Sequence, residues 1–91
     1  MAGHTVKDKI AGGARIVDVR TPAEFKDGSY AGAINIPLTT LPLRLGELEP
    51  KDTPIVLYCA SGARSGQAMR FLKQAGFSDV INAGGLDDMP Q

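Results

Sequence analysis

An α/β domain with a central parallel sheet of four to five strands, flanked by helices on both faces, is the fold the sequence predicts. Three observations predict it. Short apolar runs alternate with helix-forming stretches along the chain, the pattern of successive βαβ units. Helix start and stop residues stand where those runs end, Thr21-Pro22-Ala23-Glu24 and Gly76 being the clearest. Finally, 91 residues with 43% hydrophobic content suffice for one modest core, which buries roughly 60–65% of the unfolded surface at this size. Residues 1–91 are read as one domain, with residues 1–13 set apart as a mobile N-terminal segment.

The elements follow in order. Val6 and Ile10 share a helix face before Gly12-Gly13. Ile16-Val17-Asp18-Val19 is the first buried strand. Thr21 then caps a short helix, with Pro22 at its first position and Glu24 closing a capping box, and Gly28 ends it. Ala33-Ile34-Asn35-Ile36-Pro37 is the second strand, stopped by proline. Leu41, Leu45 and Leu48 follow an i, i+4, i+7 rhythm, which predicts a helix capped by Thr39 or Thr40 and closed by Pro50. Pro54 introduces the third strand, Ile55 to Tyr58. A helix begins at Arg64 or Ser65, buries Ala68, Phe71, Leu72 and Ala75, and stops at Gly76. Phe77-Ser78-Asp79-Val80-Ile81 leads into a last short strand, followed by Asn82-Ala83-Gly84-Gly85. Tyr30, Tyr58 and Phe25 are assigned to packing, and Asp87 and Asp88 to a solvated tail.

Charge and composition exclude several functions. Ten basic and ten acidic side chains give zero formal charge, so no strong field exists to attract nucleic acid or an anionic membrane. The absence of Trp and the scarcity of other aromatics argue against a base-stacking surface. No apolar stretch approaches the ~20 residues that span a bilayer. One cysteine rules out an internal disulfide, and Cys59 with the single histidine, His4, cannot build a structural zinc site. The start, Met1 to Lys7, lacks the apolar centre of a signal peptide. A cytoplasmic location is expected, or a periplasmic one if the chain is a processed form.

The chemistry concentrates at Cys59. It follows the third strand directly and is trailed by Ala60, Ser61, Gly62 and Ala63, whose side chains are small or absent, and then by Arg64 and Ser65 at a helix start. Helix N-termini carry partial positive charge and unpaired N–H donors. A thiol facing them ionises more readily and reacts as thiolate. Inward N–H groups of 60–65 would form an anion-binding nest, with Gly62 supplying positive φ if the loop closes tightly. Arg64 adds a guanidinium able to bind an oxyanion, and Ser65 can cap the helix or donate through its hydroxyl. Ligands of such sheets bind at the carboxyl ends of strands. Asp18-Val19-Arg20 and Asn82-Ala83-Gly84-Gly85 end strands too, so both should gather near Cys59. There Asp18 and Arg20 are assigned supporting roles: Asp18 accepting N–H groups of the loop, Arg20 pairing with Glu24. Gly84 and Gly85 permit close backbone approach.

Together, Asp18-Val19-Arg20-Thr21-Pro22-Ala23-Glu24-Phe25, Gly32-Ala33-Ile34-Asn35-Ile36-Pro37, Tyr58-Cys59 with Gly62, Arg64 and Ser65, and Gly84-Gly85 resemble the rhodanese family in order and spacing, from Ile16 onward. Gly66-Gln67-Ala68 and Asn82-Ala83-Gly84-Gly85-Leu86 look most like the small single-domain rhodaneses of phage-shock type. The resemblance implies a thiosulfate sulfurtransferase: Cys59 as nucleophile carrying a persulfide, Ala60 to Ser65 as its cradle, thiosulfate as donor, cyanide or a thiol as acceptor, and no metal or organic cofactor. It departs from the family pattern in having Met89 where Trp is common, Tyr30 where histidine is usual, no cationic side chain at Ala60 or Ser61, and no final helix before Gln91. A cysteine phosphatase or arsenate reductase is the nearest rival, but those enzymes place five residues between cysteine and arginine, and four stand here. The alternative reading is a non-enzymatic persulfide carrier, partnered by a protein persulfide, or an interaction module. A redox thiol switch is weakened by the absence of a second cysteine.

Overall fold

Four strands, β1 (Arg15–Asp18), β2 (Ile34–Asn35), β3 (Ile55–Cys59) and β4 (Val80–Gly85), form one parallel sheet in the order β2-β1-β3-β4. The structure, a computed structural model, describes residues 5–91. His4 and the first three residues of the N-terminal segment lie outside them. Helices α1 (Val6–Ala11), α2 (Pro22–Asp27) and α3 (Ala63–Gln74) fill the intervals. From β1 the sheet grows one way to β2 and the other way to β3 and β4. The point of reversal lies between β1 and β3, where sheets of this type open a crevice at their carboxyl ends. Cys59 ends β3 and Asp18 ends β1 at that point.

Both sheet faces are covered, and the alternation along β3 assigns residues to each. Ile55, Leu57 and Cys59 join Val17, Val19, Leu41, Leu48, Ala68, Leu72 and Phe77 in one cluster. Val56 and Tyr58 join Ile16 and Met89 in the other, where Val6 and Ile10 of α1 and the ring of Tyr30 also pack. Met89, in the position where the family pattern favours Trp, is buried there. β2 pairs over two residues only, although the amides of Ile36 and Leu38 still donate to the carbonyls of Asp18 and Val19. Pro37 between them has no N–H to extend the ladder.

The helix ends are largely as the residue types dictate. Thr21 Oγ1 accepts from the Glu24 amide at 3.2 Å, and Glu24 Oε1 accepts from the Thr21 amide at 3.1 Å, with Pro22 in the first turn. Thr21→Ala removes one half of this capping box. It is expected to cost about 1 kcal/mol, read as a lower urea midpoint at an unchanged slope. At the end of α3 the amide of Phe77 bonds to the Leu72 carbonyl and that of Gly76 to the Lys73 carbonyl, with Gly76 at φ +102. That is a Schellman stop just beyond Ala75.

The segment 41–48 differs from the sequence expectation. Two 3-10 turns, Leu41–Leu43 and Leu45–Glu47, replace an α-helix, and Thr40 makes no side-chain cap. Its hydroxyl donates to the Pro37 carbonyl instead. Pro42 and Gly46 weaken helix propagation in so short a segment, and Arg44 at φ −124 separates the turns. Leu41 and Leu48 are nevertheless fully buried, so the apolar rhythm identified core residues but not their backbone. Asp87 and Asp88 are exposed, as expected, but they lie in the 3-10 turn Leu86–Asp88 rather than in a tail, and Asp88 Oδ2 accepts from the Gly85 amide at 2.8 Å. No helix of the described residues is long and apolar enough to cross a membrane.

Candidate active site

The Cys59 sulfur sits where β3 turns into α3. Gly62 makes the turn at φ +101 and caps α3 without a side chain of its own. The sulfur takes the place of the missing cap: it accepts from the Gly62 amide at 3.0 Å and from the Ser65 amide at 3.4 Å, and the Ser61 amide also faces it. Ser65 is the third residue of α3, so its N–H is one of the donors a helix start leaves unpaired. Ser65 is therefore not the N-cap. It is wholly buried and brings its hydroxyl to 3.4 Å from the sulfur. Of residues 60–65, the hydrogen bonds on the sulfur come from Gly62 and Ser65, a narrower set than the whole loop.

Cys59 is only 1% exposed, while Ala60, Ser61 and Ala63 above it are exposed. Burial pushes the thiol up; the Ser65 hydroxyl and amide and the Ser61 and Gly62 amides pull it down, and the donors win, leaving it at about 7. The ordinary thiol value on the same scale is 9.0. Thiolate absorbance followed against pH is expected to rise with a midpoint near 7, and about one unit higher in Ser65→Ala. A wild-type midpoint near 9 would mean that the donors do not act on the sulfur. The sign of the linked stability follows. With the folded value depressed, the contribution is fully present above about pH 9 and is lost as pH falls through about 7.

A clamp from β4 closes the site. Three residues along β3, Leu57 to Cys59, are matched by four along β4, Asn82 to Gly85, and the extra residue is accommodated with Gly84 at φ +97, a glycine bulge. The bulge aims Asn82 at the loop. Its Oδ1 accepts from the Ser65 hydroxyl at 2.6 Å and the Gly84 amide at 2.9 Å, and its Nδ2 donates to the Gly62 carbonyl at 3.1 Å. The Ser65 hydroxyl has one proton and three acceptors in reach: Asn82 Oδ1, the sulfur and the Gly84 carbonyl. Gly85 lies so close to the loop that a Cβ would collide with the Ala60 carbonyl. The sequence placed Asn82 at this strand end but gave no sign of its individual role, because that depends on the bulge.

The three charged residues singled out in the sequence exchange partners. Asp18 accepts no loop amide. Its carboxylate holds Arg20: Oδ1 takes the Arg20 amide at 2.8 Å, and Oδ2 takes Nη2 at 2.7 Å. Arg20 thus pairs with Asp18 rather than Glu24, and also donates to the Gly28 carbonyl. The Asp18 carboxylate raises the Arg20 guanidinium above its ordinary value. Both are buried, and the guanidinium lies 5.6 Å from the centre of the Tyr58 ring. This unit braces the end of β1 beside Cys59. Arg64 pairs with Glu24 across the elements, Nη1 to Oε1 at 2.7 Å and Nη2 to Oε2 at 3.0 Å. Arg64, backed by the Thr21 contacts, holds the Glu24 carboxyl down at about 2. A groove of about 190 Å³ lined by Ala14, Arg15, Ile16, Gly32 and Ile34 lies at the starting ends of β1 and β2, away from Cys59, and contains no nucleophile.

The family description that matches this chain is "Rhodanese-like domain", over residues 3–89. A sulfurtransferase of Allochromatium vinosum is 46% identical over 70 residues, which cover 77% of this chain and 64% of that protein. The thiosulfate sulfurtransferase PspE of Escherichia coli is 40% identical over 74 residues, covering 80% of this chain and 71% of PspE. The chain thus spans a little under two thirds of the first relative. Among solved structures, a rhodanese with anions from E. coli superposes with a TM-score of 0.79 at 39% identity, covering 85% of this chain and 94% of that one.

Proposed function

Because this chain belongs to the rhodanese-like domain family, we propose that it transfers a sulfane sulfur through a persulfide on Cys59, with thiosulfate as one donor and cyanide or a thiol as acceptor. The observation that carries this reading is the set of hydrogen bonds on the Cys59 sulfur, two amides and one hydroxyl, with the thiol held at about 7. The names of the A. vinosum and E. coli relatives support sulfur transfer as the general activity.

In the first half-reaction the Cys59 thiolate attacks the outer sulfur of thiosulfate. A bond forms between Sγ and that sulfur, the sulfur–sulfur bond of thiosulfate breaks, and sulfite leaves with the electron pair. In the second, cyanide attacks the terminal sulfur through carbon, thiocyanate leaves, and the thiolate is restored. No net proton or electron is consumed. Each step keeps a negative charge on sulfur at the start of α3, where fixed donors stabilise it without reorganising. Removing one such donor often costs about 3–4 kcal/mol of barrier. Intact mass after thiosulfate treatment tests the reading: a gain of one sulfur atom, reversed by cyanide with release of thiocyanate, is the expected result. A chain that stays unmodified overturns it.

One observation favours a second reading, a persulfide carrier loaded by a protein donor. Arg64 is tied to Glu24, so the loop offers a free dianion less charge than its sequence suggests. Loading rates with thiosulfate and with a protein persulfide, compared at equal concentration, separate the two. Fast turnover with thiosulfate excludes a pure carrier.

A further inference from the structure

We propose that Glu24 is the donor-specificity residue of this site: by accepting from both terminal nitrogens of Arg64 it neutralises the loop's cation, disfavouring doubly charged free donors relative to persulfides of thiols. This rests on the sulfur-transfer reading and names the donor class within it.

Arg64 is the only charged side chain in residues 59–65, and it stands second in α3. The positive end of a helix is an unfavourable place for a cation unless an anion accompanies it. Two anions can fill that need, a bound substrate or a carboxylate of the protein. The structure supplies the carboxylate. Nor is Glu24 a loose surface partner that a substrate sweeps aside at no cost. Its Oε1 also accepts from the Thr21 amide at 3.1 Å and the Thr21 hydroxyl at 3.2 Å, so the capping box of α2 fixes the carboxylate before Arg64 meets it. A dianion approaching Cys59 must displace Glu24 from Arg64 or bind beside a neutral pair. A donor recognised through a protein or thiol surface, with its charge on one sulfur, bears far less of this penalty. Asp18 offers no relief, since its carboxylate already holds Arg20.

Glu24→Gln tests this cleanly, because glutamine at the same position still closes a capping box and removes only the charge. Thiosulfate is titrated by calorimetry at low ionic strength into two proteins, Cys59→Ser and Cys59→Ser with Glu24→Gln, with thermal midpoints compared to check folding. Removing one negative charge beside a dianion is expected to tighten binding about five-fold. The gain should shrink as salt is raised, which a purely structural role for Glu24 would not produce, and should vanish when Arg64→Ala is added. Equal binding, weaker binding, or no binding in either protein overturns the proposal. Because the nucleophile is absent from both proteins, this outcome is separate from the sulfur-transfer reading, which fails only if the wild-type chain gains no sulfur.

Discussion

Cys59→Ser is expected to abolish sulfur loading: no mass gain after thiosulfate, and thiocyanate formation reduced by at least about 10⁴-fold, the scale seen when a covalent nucleophile is removed. At a pKa of about 7, roughly half of the wild-type molecules carry a thiolate at neutral pH, against about 1% for a thiol at the ordinary value. The environment thus raises the nucleophile population roughly fifty-fold before any transition-state effect. A serine hydroxyl in the same place stays protonated at neutral pH, and the amides of Gly62 and Ser65 have no anion to stabilise. Serine is close in size and can still accept from those amides, so the fold should survive and a loss of activity can be read as chemistry. Circular dichroism and the thermal midpoint check this. Full activity or an unchanged mass gain in Cys59→Ser would remove Cys59 from the mechanism.

Gly85→Ala is expected to damage fold and site together. A Cβ at position 85 would meet the Ala60 carbonyl oxygen far inside contact distance and its carbon at 3.0 Å. Both are backbone atoms of the loop that carries Cys59, so neither can rotate away as a side chain would. Either β4 separates from β3 at the Cys59–Gly85 pair, or the loop is pushed off the sulfur. Overpacking of this kind costs about 3 kcal/mol, read as a lower urea midpoint. The thiol midpoint should move up with the loss of amide donors, and sulfur loading should fall. Gly46→Ala is the matched control, since nothing lies within 4 Å of the Cβ it would add, and it should stay within about 0.5 kcal/mol of wild type. A Gly85→Ala chain with an unchanged midpoint and unchanged loading would show that the contact is not tight.

Both outcomes depend on features of different visibility in the sequence. Cys59 was legible because its signal is local. A strand end, a run of small residues and a helix start are consecutive, and their backbone geometry follows from residue types a few positions apart. The capping box at Thr21 and Glu24, and the requirement for positive φ at Gly62, were legible for the same reason. Segment 41–48 was misread because leucine spacing reports which side chains face the core, whereas Pro42 and Gly46 decide what backbone delivers them. A burial pattern at i, i+7 is met by two 3-10 turns as well as by a helix.

The charged residues show the limit most clearly. Asp18, Arg20, Glu24 and Arg64 are all visible in the sequence, and Glu24 closes the expected capping box, yet the pairing differs: Arg20 meets Asp18, and Glu24 meets Arg64. Ion pairs are chosen by distance in space, and two carboxylates and two guanidiniums can be matched in more than one way from sequence alone. The bulge in β4 is similar. Gly84 announces freedom of backbone but not that Asn82 will be turned onto Gly62 and Ser65. The order of apolar runs and turn residues was thus enough to specify a parallel α/β domain with one thiol at a helix start, because those properties depend on short-range geometry repeated along the chain. Which donors reach the sulfur, how deeply it is buried, and that Arg64 meets Glu24 were settled only when β1, β3, β4 and α2 came together, because contacts between distant segments depend on register and close approach that no local pattern encodes.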